Sequence, residues 1–105
     1  MASGILGQAA PSATTNTTVY TVPASTVSVV NVNILNRGGS AATVRIALAA
    51  ADSPTNAEYV EYDASVGANQ VLERTGLALN AGKKVVVYAS SGDTSVSVYG
   101  LEDAA

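Results

Sequence analysis

Residues 26–51, TVSVVNVNILNRGGSAATVRIALAAA, decide the fold. They hold two apolar-rich strand candidates joined by the turn Asn36-Arg37-Gly38-Gly39-Ser40, and read as a hairpin. In the second arm Val44, Ile46 and Leu48 share one face, while Thr43, Arg45, Ala47 and Ala49 share the other; this is the period-2 pattern of a half-buried strand. In the first arm Val30, Val32 and Ile34 share a face opposite Asn31 and Asn33. Val27, Val29 and Leu35 fall on the asparagine face, which implies a bulge or a strand covered on both sides near its ends. A hairpin with one apolar face does not stand alone in water and requires further strands.

The rest of the chain offers them. Val19-Tyr20-Thr21-Val22 is a short strand stopped by Pro23, which has no N–H to give a ladder. Asp52-Ser53-Pro54-Thr55-Asn56 is loop chemistry. Ala57 to Asp63 alternates and places Val60 and Tyr62 inward, Tyr59 and Glu61 outward. A strand from Gln70 to Leu79 carries Gly76, where a bulge or bend and a change of phase are expected. Asn80-Ala81-Gly82 reads as a hairpin turn into the strongly β-prone run Lys83 to Ser90. Ser91-Gly92-Asp93 turns into a last strand, Thr94 to Leu101. Seven or eight short strands at 8–12-residue spacing, with no capped 3.6-residue period, predict an all-β chain. The architecture is a single antiparallel β-sandwich of immunoglobulin-like or jelly-roll type. The predicted division is an extended arm over 1–17, a sandwich over 18–101 and a loose acidic tail over 102–105.

Composition narrows the chemistry. The chain has 105 residues, no His, no Cys, no Trp and no Phe, and its five Tyr are the only aromatic residues. Without His or Cys, Ser-His-Asp and Cys-His catalysis and ordinary zinc sites are excluded. The acidic group Glu58, Glu61 and Asp63 lacks the opposed carboxylate geometry of a glycosidase, and reads as a solvated patch or as partners for Arg37 or Arg74. Asp52 alone does not build a calcium cage. Gly38-Gly39 lacks the rest of a phosphate loop. The expectation is a protein that is not an enzyme and carries no cofactor or metal. A net charge of -3, with five scattered basic residues, argues against nucleic acid. No apolar run approaches the ~20 residues of a membrane span, and the first residues lack the pattern of a signal peptide and read as uncleaved. Charged residues are 12% of the chain, about half the usual share, so the surface is weakly defended against association.

Residues 1–17 are small and almost uncharged, the composition of a loose terminus. Ile5 and Leu6 favour a second reading, an arm laid across a neighbouring subunit, because a spacer has little use for two adjacent large aliphatics. Paired Asn31 and Asn33 read as solvated strand positions rather than a sugar-binding ladder.

Several stretches together resemble a class of small tailed-bacteriophage virion proteins. They are Leu6-Gly7-Gln8, VYTVP at 19–23, Asn36-Arg37-Gly38, Tyr59-Val60-Glu61-Tyr62-Asp63, Leu79-Asn80-Ala81-Gly82, Val85 to Ser90 and Val98-Tyr99-Gly100. The resemblance implies a β-sandwich virion component, either a capsid decoration (cement) protein or a tail-fibre-associated piece, and brings no catalytic or ligand residues. The expectation is a homo-oligomer, trimer or dimer, on the capsid exterior, clamping copies of the major capsid protein. Ile5, Leu6, Arg37, Tyr59 and Tyr99 are the expected contacts. The alternative is a receptor- or carbohydrate-binding module, which requires an exposed tyrosine platform.

Overall fold

Valine and isoleucine at alternate positions set the layering. In the computed structural model, which describes residues 2–105, eight strands form. They are β1 (Ser3–Ala9), β2 (Thr17–Thr21), β3 (Thr26–Asn36), β4 (Ala42–Ala49), β5 (Tyr59–Val66), β6 (Val71–Leu79), β7 (Lys84–Ala89) and β8 (Thr94–Ala104). A single 3-10 turn, Asn56–Glu58, precedes β5. Two four-stranded antiparallel sheets result, ordered β1-β8-β3-β6 and β2-β7-β4-β5.

This order answers the choice between sandwich types. β1 pairs with β8, β2 with β7, β3 with β6 and β4 with β5, so the chain is one long hairpin rolled over on itself. That nesting makes the fold a jelly roll; an immunoglobulin domain pairs its strands in a different order. It also corrects two expectations. β3 and β4 are not a hairpin, because they lie in opposite sheets, and the same holds for β6 and β7. Among the described residues, the only strands consecutive in sequence that pair are β4 and β5. Each of the other turns carries the chain across the sandwich, because a strand with one apolar face buries it by facing a second sheet as well as by pairing sideways.

The core lies between the sheets. Val30, Val32 and Ile34 of β3 and Val96 and Val98 of β8 face Val44 and Ile46 of β4 and Val85 and Val87 of β7, all with almost no exposure. Each such side chain contributes on the order of 1.5–3 kcal/mol by leaving water. Two arms of the chain differ from expectation. The predicted arm is β1, a strand of the protein's own sheet hydrogen-bonded along β8. The predicted acidic tail is the end of β8, with Glu102, Asp103 and Ala104 paired to Ser28, Val27 and Thr26. Both segments are extended backbone beside an unpaired ladder, and pairing satisfies N–H and C=O groups that composition alone does not reveal.

The sandwich has two open sides, and each is closed by a specific device. On one side the backbones of β1 and β2 approach so closely that a Cβ on Gly7 would sit 2.2 Å from the Val19 carbonyl oxygen. On the other, Arg74 of β6 reaches Glu61 of β5 at 2.7 Å, a bridge between the edge strands of the two sheets. The bulge expected at Gly76 is present: Val30 pairs with Leu77 and Val32 with Arg74, leaving two β6 residues opposite Asn31. The Asn31 side-chain oxygen accepts the Gly76 N–H at 3.0 Å and fixes that bulge.

Candidate functional site

Side chains that point away from the core define two faces of different character. On the β1-β8-β3-β6 sheet, register brings Ser3, Leu101, Val29 and Ala78 into one row across all four strands. Val27 and Ile5 flank it. Val27 is 40% exposed, Val29 50%, Ile5 60% and Leu101 64%, although each is large and aliphatic. Val27, Val29, Ala78, Leu79 and Asn80 line a shallow apolar groove at this end of the sheet. Val71, also exposed, extends the aliphatic character towards the far end. Neither the bulge nor the cover expected for Val27 and Val29 is found: β3 runs in unbroken register with β8, and both side chains stand exposed in an apolar patch.

Polar groups on the same face are tied to one another. Tyr99 of β8 reaches over β3 and donates its hydroxyl to Glu73 of β6, which raises the Tyr99 phenol above its ordinary range. Gln8 donates to Ser97 at 3.2 Å. Asp103 is exposed, and the one basic residue in the four strands of this sheet, Arg74, turns into the gap towards Glu61. The face is therefore aliphatic with an acidic margin.

The outer face of the β2-β7-β4-β5 sheet is occupied by its own chain. Tyr59 packs on Ala47, Ala49 and Val86, a second small cluster outside the main core. Arg45 lies between two rings, 4.2 Å from the Tyr62 centroid and 4.5 Å from that of Tyr88, and its Nε donates to Asp63 at 2.6 Å. The Asp63 contact raises the Arg45 pKa further. Tyr62 and Tyr59 meet edge to face with centroids 5.0 Å apart. Asp52 accepts the Thr18 hydroxyl at 2.5 Å and lies 3.7 Å from the Lys84 ammonium, and both hold its carboxyl below the usual range. Glu58 accepts N–H bonds from Thr55 and Ala50, which lower its pKa likewise and pin the loop before β5.

The expected contact residues divide accordingly. Ile5 stands exposed on the apolar face, next to Tyr99 in register. Leu6 is corrected: it turns inward and packs against the core. Arg37 is exposed, but its guanidinium is held by the β7–β8 turn, donating to Ser95 Oγ at 2.8 Å and to the Gly92 and Thr94 carbonyls at 3.4 Å. Tyr59 lies outside the core as expected, yet is half covered. Tyr62 and Glu61 exchange their expected directions: Tyr62 is 57% exposed and Glu61 turns to Arg74. Two register shifts in the β4–β5 ladder and the left-handed backbone of Asp63 (φ 52°) break the alternation that placed them.

Val27, Val29 and Leu101 were not among the expected contacts. For the two valines the signal was present in β3, whose asparagine face carries them with neither a bulge nor a cover to account for it. At the interior mouth of the sandwich, Tyr20 shares its hydroxyl with Ser28 at 2.7 Å and donates to Glu102 at 2.5 Å. Burial first, then the Glu102 bond, raises the Tyr20 phenol, while the Tyr20 and Ala2 donors lower the Glu102 carboxyl. Among the described residues no three acidic side chains converge as a metal site would require. The chain matches no family model, no curated protein and no solved structure.

Proposed function

We propose that this chain is a non-enzymatic structural protein of a phage virion that decorates the capsid, seating its β1-β8-β3-β6 face across neighbouring capsid subunits. The observation that carries the reading is the exposed aliphatic row through Leu101, Val29 and Ala78 with Ile5 and Val27 beside it. Isolated surface aliphatics are ordinary; a contiguous set with an acidic margin is the composition of an interface core and its rim. The fitting partner is a protein face of aliphatic side chains bordered by Lys or Arg, which meets Asp103 and Glu73. Binding the assembled shell and not its separated subunits stabilises the shell by mass action. The sequence resemblance to phage virion proteins supplies the particle; the apolar face supplies the means.

The test is cosedimentation of the purified chain with undecorated heads of its phage. Val29→Asp with Leu101→Asp, which faces water in the free protein, should leave the fold intact and lower occupancy at least tenfold. Unchanged occupancy by that variant, or imaging that places the chain on the tail, would remove the capsid reading. A second reading, a receptor- or carbohydrate-binding module, is favoured by Tyr62, whose ring is the most exposed aromatic surface described. It is the weaker one because Arg45 covers a face of both Tyr62 and Tyr88. Glycan binding abolished by Tyr62→Ala would support it.

A further inference from the structure

β1 is held in its sheet by little more than its ladder. None of its seven residues is buried, and Leu6 is its one side chain packed against the core. Side-chain support consists of the exposed Gln8–Ser97 bond, with the adjacent Ala2 N–H given to Glu102. The connection to β2 is strained. Thr14, a β-branched residue, has φ 56°, in the left-handed region that such side chains rarely enter. That connection is also longer than its task requires. Residues 10–16 join two stacked sheets ~10 Å apart, yet seven extended residues span ~24 Å.

From these observations we infer that β1 exchanges between two copies of this chain, each inserting its first strand beside β8 of the other. A second copy is the fitting occupant because the vacated edge has a narrow specification. The inserted strand must carry an aliphatic side chain where Leu6 packs, and no side chain where the Val19 carbonyl closes on Gly7. The β1 of another copy meets it by identity, and the contacts that β1 makes in the closed form are regained. Straightening the connection releases the Thr14 conformation, as strained hinge loops do when strands swap. The inference concerns the chain alone and holds whether or not its particle is a phage head.

Because the chain has no cysteine, single cysteines report directly on the pairing. Gln8 and Ser97 are register partners. Gln8→Cys and Ser97→Cys chains, each checked for β-structure by circular dichroism, are unfolded together, refolded at high concentration, oxidised and run without reductant. The expected result is a cross-linked dimer at least tenfold above either variant alone and above a Gln8→Cys with Ser95→Cys control, which is out of register. Thr14→Gly in both chains removes the strain from the closed form and should lower the dimer several-fold. A mixture that stays monomeric, while a chain carrying both Gln8→Cys and Ser97→Cys closes on itself, would overturn the inference. Equal cross-linking in the out-of-register control would overturn it as well.

Discussion

Asn36 and Thr94 are direct partners in the β3–β8 ladder, both polar and both without exposure, and opposite consequences are expected from removing them. Asn36 is fully used: its Nδ2 donates to the Ser40 carbonyl at 2.8 Å and the Val66 carbonyl at 3.0 Å, and its Oδ1 accepts the Gly38 N–H at 2.9 Å. It thereby ties the β3–β4 turn to the end of β5. Asn36→Ala takes from the Val66 carbonyl the buried donor that it accepts from Asn36, while water reaches the two turn groups. A lost bond to a buried group at about 1–3 kcal/mol and two ordinary bonds at about 0.5–1.5 kcal/mol each sum to ~2–6 kcal/mol. At ~4–8 °C per kcal/mol for a domain near this size, the midpoint should fall by at least ~8 °C. The buried Thr94 hydroxyl has no hydrogen-bond partner among the described residues. Thr94→Val keeps the branched shape and removes a desolvated hydroxyl, so it should stabilise by ~1 kcal/mol and raise the midpoint by ~4–8 °C. Urea unfolding followed by far-ultraviolet circular dichroism gives both numbers, with equal m-values as the check that the denatured state is unchanged. Asn36→Asp sharpens the test. It turns an acceptor towards two carbonyls, so it should be worse than Ala near neutrality and less damaging in acid, where protonation restores one donor. A destabilising Thr94→Val, or an Asn36→Ala within ~0.5 kcal/mol of wild type, would refute the account of how this end of the sandwich is held.

Three further outcomes are expected. Gly100→Ala should prevent folding, since the added Cβ would lie 2.1 Å from the Val29 carbonyl oxygen between two central strands and φ is 155°; loss of the β-sheet dichroism checks it. Asp52, Glu58 and Glu102 all have carboxyls lowered by donors in the folded chain, so their stabilisation is complete above the unfolded values near pH ~4 and is lost as pH falls through the lower folded values. Thermal midpoints should accordingly be flat from neutrality to about pH 5 and decline below about pH 4, with Glu102→Gln giving a shallower acid limb. A double-mutant cycle on Arg74→Ala and Glu61→Ala should return a coupling of only ~0.5–1 kcal/mol, because the pair is partly solvated; a value near zero would show that the bridge does not seal that edge.

Strand positions were legible because period-2 alternation is a local property. Val30, Val32, Ile34, Val44, Ile46, Val96 and Val98 all lie where that pattern puts them. Gly76 announced its own bulge. Strand partners were not legible, because Asn36-Arg37-Gly38-Gly39 turns the chain equally well into an adjacent strand or across to a facing sheet. The burial of Asn36, which satisfies the turn from inside, is a tertiary fact. The site was half legible for a related reason. Ile5 and Leu6 were singled out as a pair, but adjacent residues on a strand point to opposite faces, so one of them had to be lost to the core once β1 found β8. In β5, two register shifts defeated the alternation that placed Tyr62 inward.

The asymmetry between the two outer faces follows from how the long hairpin closes. A jelly roll buries one face of each sheet and leaves the other to be managed separately. On the β2-β7-β4-β5 sheet, the loop between β4 and β5 carries Asp52 and Glu58 back to Thr18 and Ala50, and Tyr59 covers Ala47, Ala49 and Val86. Arg45, held between Tyr62 and Tyr88, fills the remainder. The β1-β8-β3-β6 sheet has no loop between paired strands to fold over it, since β1, β3 and β6 each pass to the opposite sheet and β8 enters from it. Its aliphatic row is therefore uncovered by topology, and an exposed row of Leu101, Val29 and Val27 costs solubility unless a partner covers it. On the proposed reading this face is the binding surface, because it is the one that the chain's own loops do not reach. Grafting a polar loop over that face, or replacing Leu101 and Val29 with Thr, should raise the solubility of the free protein while abolishing particle binding. Improved solubility with binding retained would place the interface elsewhere.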